Sequence, residues 1–289
     1  MKKLLKKLTI TLLKNIYFIY TNKNMDIPFD LLNIVSSFHS KSRMKLLDWI
    51  PMEKLNWDCL SANPNAIHLL ETHPEKINNV YLSKNSNAIH LIEKKLLDTE
   101  TFNDNLGRKT DINWCNLSMN PNAIHILEEV LQRNPEKIQW HYLSKNPNAI
   151  HLLEANPDKI NWHKLSCNPN AMHLLLQNPN KINWNMLSEN PSPIAIQMLE
   201  ANPTKINWDY LTENPNAIHL LEKHPENIFW YCLSVNPNPI IVNTLLKKFM
   251  EDPPNIVNWS GLSENPSIFE IDIEQTKIYT MNKTKLIYY

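Results

Sequence analysis

Five stretches place a histidine three residues before a glutamate: His68/Glu71, His90/Glu93, His125/Glu128, His151/Glu154 and His219/Glu222. At i and i+3 of a helix two side chains share a face, and imidazole with carboxylate is a donor set that zinc accepts. Zinc needs three or four ligands within about 2.0–2.3 Å of one ion. Each pair offers two, and the next pair stands a helix-packing distance away, roughly 10 Å. The pairs therefore read as solvated His–Glu contacts, and no metal site is expected. His39, His73, His141, His163 and His224 stand apart from any Ser or Cys in a nucleophile motif. Gly107 and Gly261 are the only glycines, so the chain has no glycine-rich loop to cradle a phosphate. Cys59, Cys115, Cys167 and Cys232 are scattered far apart along the chain, with neither CxxC spacing nor a dense disulfide framework. They are read as reduced thiols. A catalytic site needs a unique arrangement, and these residues recur. Neither an enzyme nor a cofactor is expected.

The recurrence itself is the strongest signal. Leu60, Leu82, Leu117, Leu143, Leu165, Leu187, Leu211, Leu233 and Leu262 all close the phrase W-x-x-L. The step from Leu143 to Leu165 is repeated unchanged from Leu165 to Leu187, from Leu60 to Leu82 and from Leu211 to Leu233. Trp57, Trp114, Trp140, Trp162, Trp184, Trp208, Trp230 and Trp259 form the matching column, with Asn79 substituting once. Nine units at a fixed period are the mark of stacked structural repeats. The fold class expected is all-α: a solenoid of nine short two-helix units.

Each unit reads as two helices. In NPNAMHLLLQ, Asn168 suits an N-cap and Pro169 the first helical position, where its missing N–H costs nothing. The next Asn-Pro, Asn178-Pro179, ends that helix. The shorter NWHKLS segment carries the first helix, capped by Asn161, with Ile160 and Leu165 placed as a hydrophobic staple; its length fits α or 3-10 geometry. Asn63, Asn120, Asn146, Asn168, Asn190, Asn214 and Asn236 are read as N-caps that also bond between units. Neither helix is long enough to persist alone, since isolated helices below about 12–15 residues are marginal. Stacking must hold the array, and the Trp column, with Leu60, Leu143, Leu165 and Leu187, is expected to dominate its core. On a helical wheel His173 falls opposite the apolar centre. His68, His90, His125, His151 and His219 share its position, so these six form an outward stripe and a candidate binding surface. Extra residues after Leu82, Leu117, Leu187 and Leu233 enlarge the second helix or its exit, ornamenting one edge of the array.

The phrases LSxNPNAIHLLExNPxKINW and LSENPSIFEID resemble the Asn-Pro-Asn-Ala-Ile repeat proteins of large DNA viruses that infect amoebae and algae. The match covers about residues 47–273, and unit two departs from it at Asn79 and Ser86. The resemblance implies a helical repeat array and a viral origin, hence the host cytoplasm or virion and not secretion. It brings no established activity.

The 289 residues are 43% hydrophobic with zero net charge, unevenly spread. Residues 1–50 carry nine Lys/Arg against three Asp/Glu, whereas residues 51–270 carry 17 against 24. An acidic array is a poor platform for nucleic acid, which needs clustered cations. Four segments are expected: a basic apolar extension at 1–24, capping helices at 25–50, the array at 51–270, and a cap or tail at 271–289. The extension is interrupted by Lys14 and is too short to span a bilayer; it would lie on a membrane surface only if residues 1–20 are translated. Met25 is an alternative start. From there, Ile27, Pro28, Leu31, Leu32, Ile34, Val35 and Phe38 resemble the opening of an F-box. That resemblance implies docking to the adaptor of a cullin-type ubiquitin ligase, with the repeats holding substrate. The leading expectation is a non-enzymatic scaffold that binds a protein partner along an extended face. The alternative is the ligase adaptor through residues 26–50.

Overall fold

A computed structural model describes residues 44–98, 112–242 and 257–272. Nearly all of the basic extension, the F-box-like stretch and the C-terminal tail falls outside these residues. Within them the chain is mostly helical, as a regular array whose helices recur with the period of the W-x-x-L phrase. The array spans Leu46–Glu270.

Unit five shows how the local sequence makes the repeat. The Asn161 side chain accepts from the Lys164 N–H. Leu165 N–H then reaches the Asn161 carbonyl at 2.8 Å, an i to i−4 bond that makes the first helix, Trp162–Leu165, α rather than 3-10. The 3-10 geometry falls at the prolines instead. Pro169–Ala171 forms one such turn because Pro169 starts it without an N–H to satisfy and the Asn168 side chain takes the N–H of Asn170. It leads into the second α-helix, Met172–Gln177, and a further 3-10 turn at Pro179–Lys181 returns the chain to the next unit. The longer spacings lengthen the second helix, to Ile89–Asp98, Ile124–Arg133 and Pro193–Glu200. The remaining added residues, at 99–111 and 243–256, lie outside the described residues.

Adjacent units are joined through the asparagine that follows L-S/T-x. Asn168 Nδ2 donates to the carbonyls of Ser144 and Asn146, at 3.1 and 2.9 Å. The same pair of bonds recurs from Asn85, Asn120, Asn146, Asn190, Asn214, Asn236 and Asn265, each to the unit before it. Asn63 of unit one completes the set, donating to Ser263 and Asn265 of unit nine at 3.0 and 2.8 Å. A second series matches it: the backbone N–H that opens each first helix donates to the Ser or Thr hydroxyl of the previous unit, including Asn56 to Ser263. The array is therefore a closed ring, in which the first helix and 3-10 turn of unit nine, Trp259–Glu264 and Pro266–Ile268, stack on those of unit one.

The helical repeat array is the one expected, here closed on itself; the segments expected to cap it, 25–50 and 271–289, fall almost wholly outside the described residues. Each end interface of the array is covered by the other. The chain also departs from all-α at the seam, where Met44–Leu46 (β1) pairs with Phe269–Ile271 (β2). Leu47 N–H extends this clasp to the Ile268 carbonyl at 2.9 Å.

The core differs from expectation in one column. All nine W-x-x-L leucines are fully buried, among them Leu60, Leu143, Leu165 and Leu187, as are Ala66, Ala88, Ala123 and their equivalents. Each leucine contributes roughly 1.5–3 kcal/mol. The eight tryptophans, Trp57, Trp114, Trp140, Trp162, Trp184, Trp208, Trp230 and Trp259, are only half-buried. The indole stands at the first helical position, and in four units its exposed ring is covered by charge. Lys76, Lys137, Lys181 and Lys205 hold their ammonium groups over Trp57, Trp114, Trp162 and Trp184, at 4.3, 5.2, 4.4 and 4.1 Å from the centroids. Each lysine comes from the turn into the following unit.

Candidate functional site

Three concentric surfaces carry the polar side chains of the ring. The outermost bears the histidine stripe. His90, His125, His151, His173 and His219 are exposed, and His68 is half-buried. Their partners are not the glutamates three residues on. His90 Nε2 meets Glu71, His125 meets Glu93, His151 meets Glu128, His173 meets Glu154 and His219 meets Glu200, at 2.7–3.3 Å. Every glutamate belongs to the preceding unit. Packed second helices bring residues of neighbouring units closer than the i, i+3 pair, so the His–Glu pattern is a girdle between units. Being exposed, each such pair contributes about 0–1 kcal/mol. Among the described residues no group of three or more His, Cys, Asp or Glu is placed to hold a metal ion.

The innermost surface is built from the residue between the Ser/Thr and the ladder asparagine. Lys84 and Glu264 meet at 2.7 Å although unit one separates them; Lys145 and Glu189 meet at 2.6 Å across unit five. Side chains can bridge an intervening unit only on the concave side, so this column faces the ring axis. Ala62 and Cys167 are the buried small residues at the same position in the units that the pairs span. Burial alone would push the Lys145 ammonium down, but Glu189, with Cys167 and Glu213 nearby, outweighs it and holds the pKa above the ordinary lysine value. Cys167 is pushed up to about 11 by burial, so it stays a thiol. Cys232 is pushed up to about 12, by burial and by the Glu213 carboxylate to which its thiol donates. The four cysteines are free thiols.

Glu213 is the axial carboxylate outside the two ion pairs. Burial raises its pKa, as does Glu189, against the opposing effects of the Cys232 thiol, Lys145 and Lys84. A carboxyl with a raised folded-state pKa binds more protons folded than unfolded, so its ionisation costs stability as pH rises through the window above the ordinary carboxylate value. Glu213→Gln should therefore raise the urea midpoint at pH 7 and leave it unchanged at pH 4. Equal midpoints at both values would show that the axial charge carries no penalty.

The third surface is annular and lies between the other two. It alternates the residue that caps each first helix with the residue after the tryptophan, and neighbouring units touch there. Asn78 donates to Asp58 at 3.0 Å and Asn161 contacts His141 at 2.8 Å. The cap is Asn in seven units and Gln139 in unit four. Unit eight has Phe229, with no side-chain cap bond. Phe229 is 49% exposed and Tyr231 beside it 56%, with Tyr210 of unit seven also exposed. This patch is legible as the single aromatic in a column of amides, but repeat-averaged reading passes over such departures.

The seven asparagines read as N-caps, Asn63, Asn120, Asn146, Asn168, Asn190, Asn214 and Asn236, lie fully buried in the ladder. Each accepts from the N–H two residues on while donating to the previous unit. No described helix is long and apolar enough to cross a membrane. No family model, curated protein or solved structure matches the chain.

Proposed function

We propose that the ring is a non-enzymatic scaffold that holds a protein partner on its annular face, at the aromatic patch of units seven and eight. The observation that carries this reading is Phe229. An asparagine there would cap the helix, and its replacement costs about 1 kcal/mol while leaving two large aromatics in water. Aromatic residues are the common anchors of protein interfaces. The patch sits on short helices locked by the ladder on both sides, so little ordering entropy is lost when a partner arrives.

The double variant Phe229→Asn/Tyr231→Ser returns unit eight to the chemistry of its neighbours and restores a cap, so the ring should stay folded. Immobilised full chain and variant would be compared as baits in lysate of the cells that produce the protein, with bound proteins identified by mass spectrometry. The expected result is a protein held by the unchanged chain and depleted at least tenfold on the variant. Equal recovery on both baits removes the patch as the docking site.

A further inference from the structure

The ring contains an internal comparison that indicates what kind of group the patch takes. In unit one, Trp57 packs against His73 with ring centroids 5.1 Å apart, and Lys76 Nζ stands over the indole at 4.3 Å. Two residues after Lys76, Asn78 donates to the Asp58 carboxylate at 3.0 Å. Lys76 and Asn78 flank Ile77, whose backbone is extended, so both side chains leave the same side of the chain. Trp57 and Asp58 thus receive a cation and an amide donor from one edge.

Unit seven repeats this arrangement with both donors removed. Trp208 packs against His224 at the same 5.1 Å. The position of Lys76 is taken by Asn227 and that of Asn78 by Phe229, around Ile228, which is again extended. Asn227 turns toward Glu226 at 3.4 Å, and Glu226 also meets His224 at 3.4 Å. Among the described residues no cation stands over Trp208, and none donates to the exposed carboxylate of Asp209. An indole face and an adjacent carboxylate, both supplied with partners in unit one, are open at the edge of the aromatic patch.

We infer that this edge accepts an arginine or lysine side chain of the partner, seated over Trp208 and paired with Asp209, with an apolar neighbour of that residue against Phe229 and Tyr231. The inference rests on the docking patch proposed above and adds the chemistry of its occupant, a basic and apolar segment. Charge complementarity argues for it: the Trp–Asp pair has lost a cation that the same fold supplies elsewhere. A planar guanidinium stacks on indole and bonds a carboxylate at once, which favours arginine.

The test uses the full chain and a fluorescein-labelled peptide, Gly-Arg-Leu-Arg-Gly, with a citrulline-for-arginine peptide as its uncharged control. Binding is read by fluorescence polarisation and by the indole N–H resonances of the tryptophans. Expected are saturable binding of the arginine peptide, at least tenfold weaker binding of the control, and a shift of the Trp208 resonance with Trp57 unmoved. Asn227→Lys restores the unit-one cation in place of an amide whose only contact among the described residues is the exposed one to Glu226 at 3.4 Å, and should weaken the peptide at least tenfold by filling the place itself. Absence of saturable binding, undiminished binding to Asn227→Lys, or an unmoved Trp208 each overturns the inference. If the peptide fails while Phe229→Asn/Tyr231→Ser still loses its captured protein, the cation reading alone falls. If the peptide behaves as expected but capture is unaffected, the patch reading falls and the cation site stands.

Discussion

Replacing Asn168 with alanine is expected to lower stability by about 3–5 kcal/mol, as at the other ladder asparagines that make the same bonds. The side chain is fully buried and makes three bonds. Its amide donates to Ser144 and Asn146 carbonyls, and its oxygen accepts from Asn170 N–H. Alanine leaves the Ser144 carbonyl without this donor in a site closed to water and the Asn146 carbonyl with the Ala149 N–H alone, and each buried polar group stranded costs about 1–3 kcal/mol. Asn170 is the control. It also crosses to the previous unit, donating to the Pro147 carbonyl at 2.9 Å, but at the surface, where water can replace it. Asn170→Ala should cost about 1 kcal/mol. Urea unfolding of both variants separates the readings: midpoints that move equally would mean that the ladder owes its strength to packing around Asn168, not to its bonds.

The repeat, the positions of its helices and the caps are legible in the sequence because each depends on residues within a few places of one another. Asn before Pro, and Pro at a first turn, specify local backbone whatever surrounds them. Three features are not legible, each for a separate reason. Size alone places the tryptophans in the core, yet the indole stands where the first helix begins, and in four units lysine from the next turn covers it instead of protein interior. Burial instead follows the leucine three residues on, whose position within the short helix points it inward. The histidine partners lie outside their own helix, and sequence spacing reveals only intra-helix neighbours; His173 meets Glu154 because two second helices lie side by side. Ring closure is hidden for a deeper reason. It follows from a small rotation per unit, summed nine times, and no single copy of the motif states that rotation. The axial charges point to it only in hindsight, since Lys84 and Glu264 are 180 residues apart.

Severing the seam should open the ring, whereas the same substitutions at an internal interface should not. Asn63→Ala/Asn65→Ala removes three of the side-chain bonds that join unit one to unit nine, those to Ser263, Asn265 and Pro266. Asn168→Ala/Asn170→Ala removes the equivalent three between units five and four. The two sites match in bonding and differ in tether. Chain length between bonded partners is 22 residues at the internal site and 202 at the seam. For a flexible chain that difference adds about 2 kcal/mol of closure entropy, an upper bound for an array that is already curved. A loss confined to the internal interface leaves its units held by the short connection, and the ring recloses around the defect. At the seam the clasp of β1 and β2, the Asn56–Ser263 bond, the Lys84–Glu264 ion pair and the apolar contact remain. The seam variant should therefore show a larger radius of gyration by small-angle scattering. Amide exchange should become fast in units one and nine while unit five stays protected, because an opened array frays from its ends. The internal variant should keep the original radius and exchange faster only around units four and five. An unchanged radius in the seam variant, with exchange rising evenly around the ring, would mean that closure is held by the clasp and the buried leucines and not by the asparagine ladder.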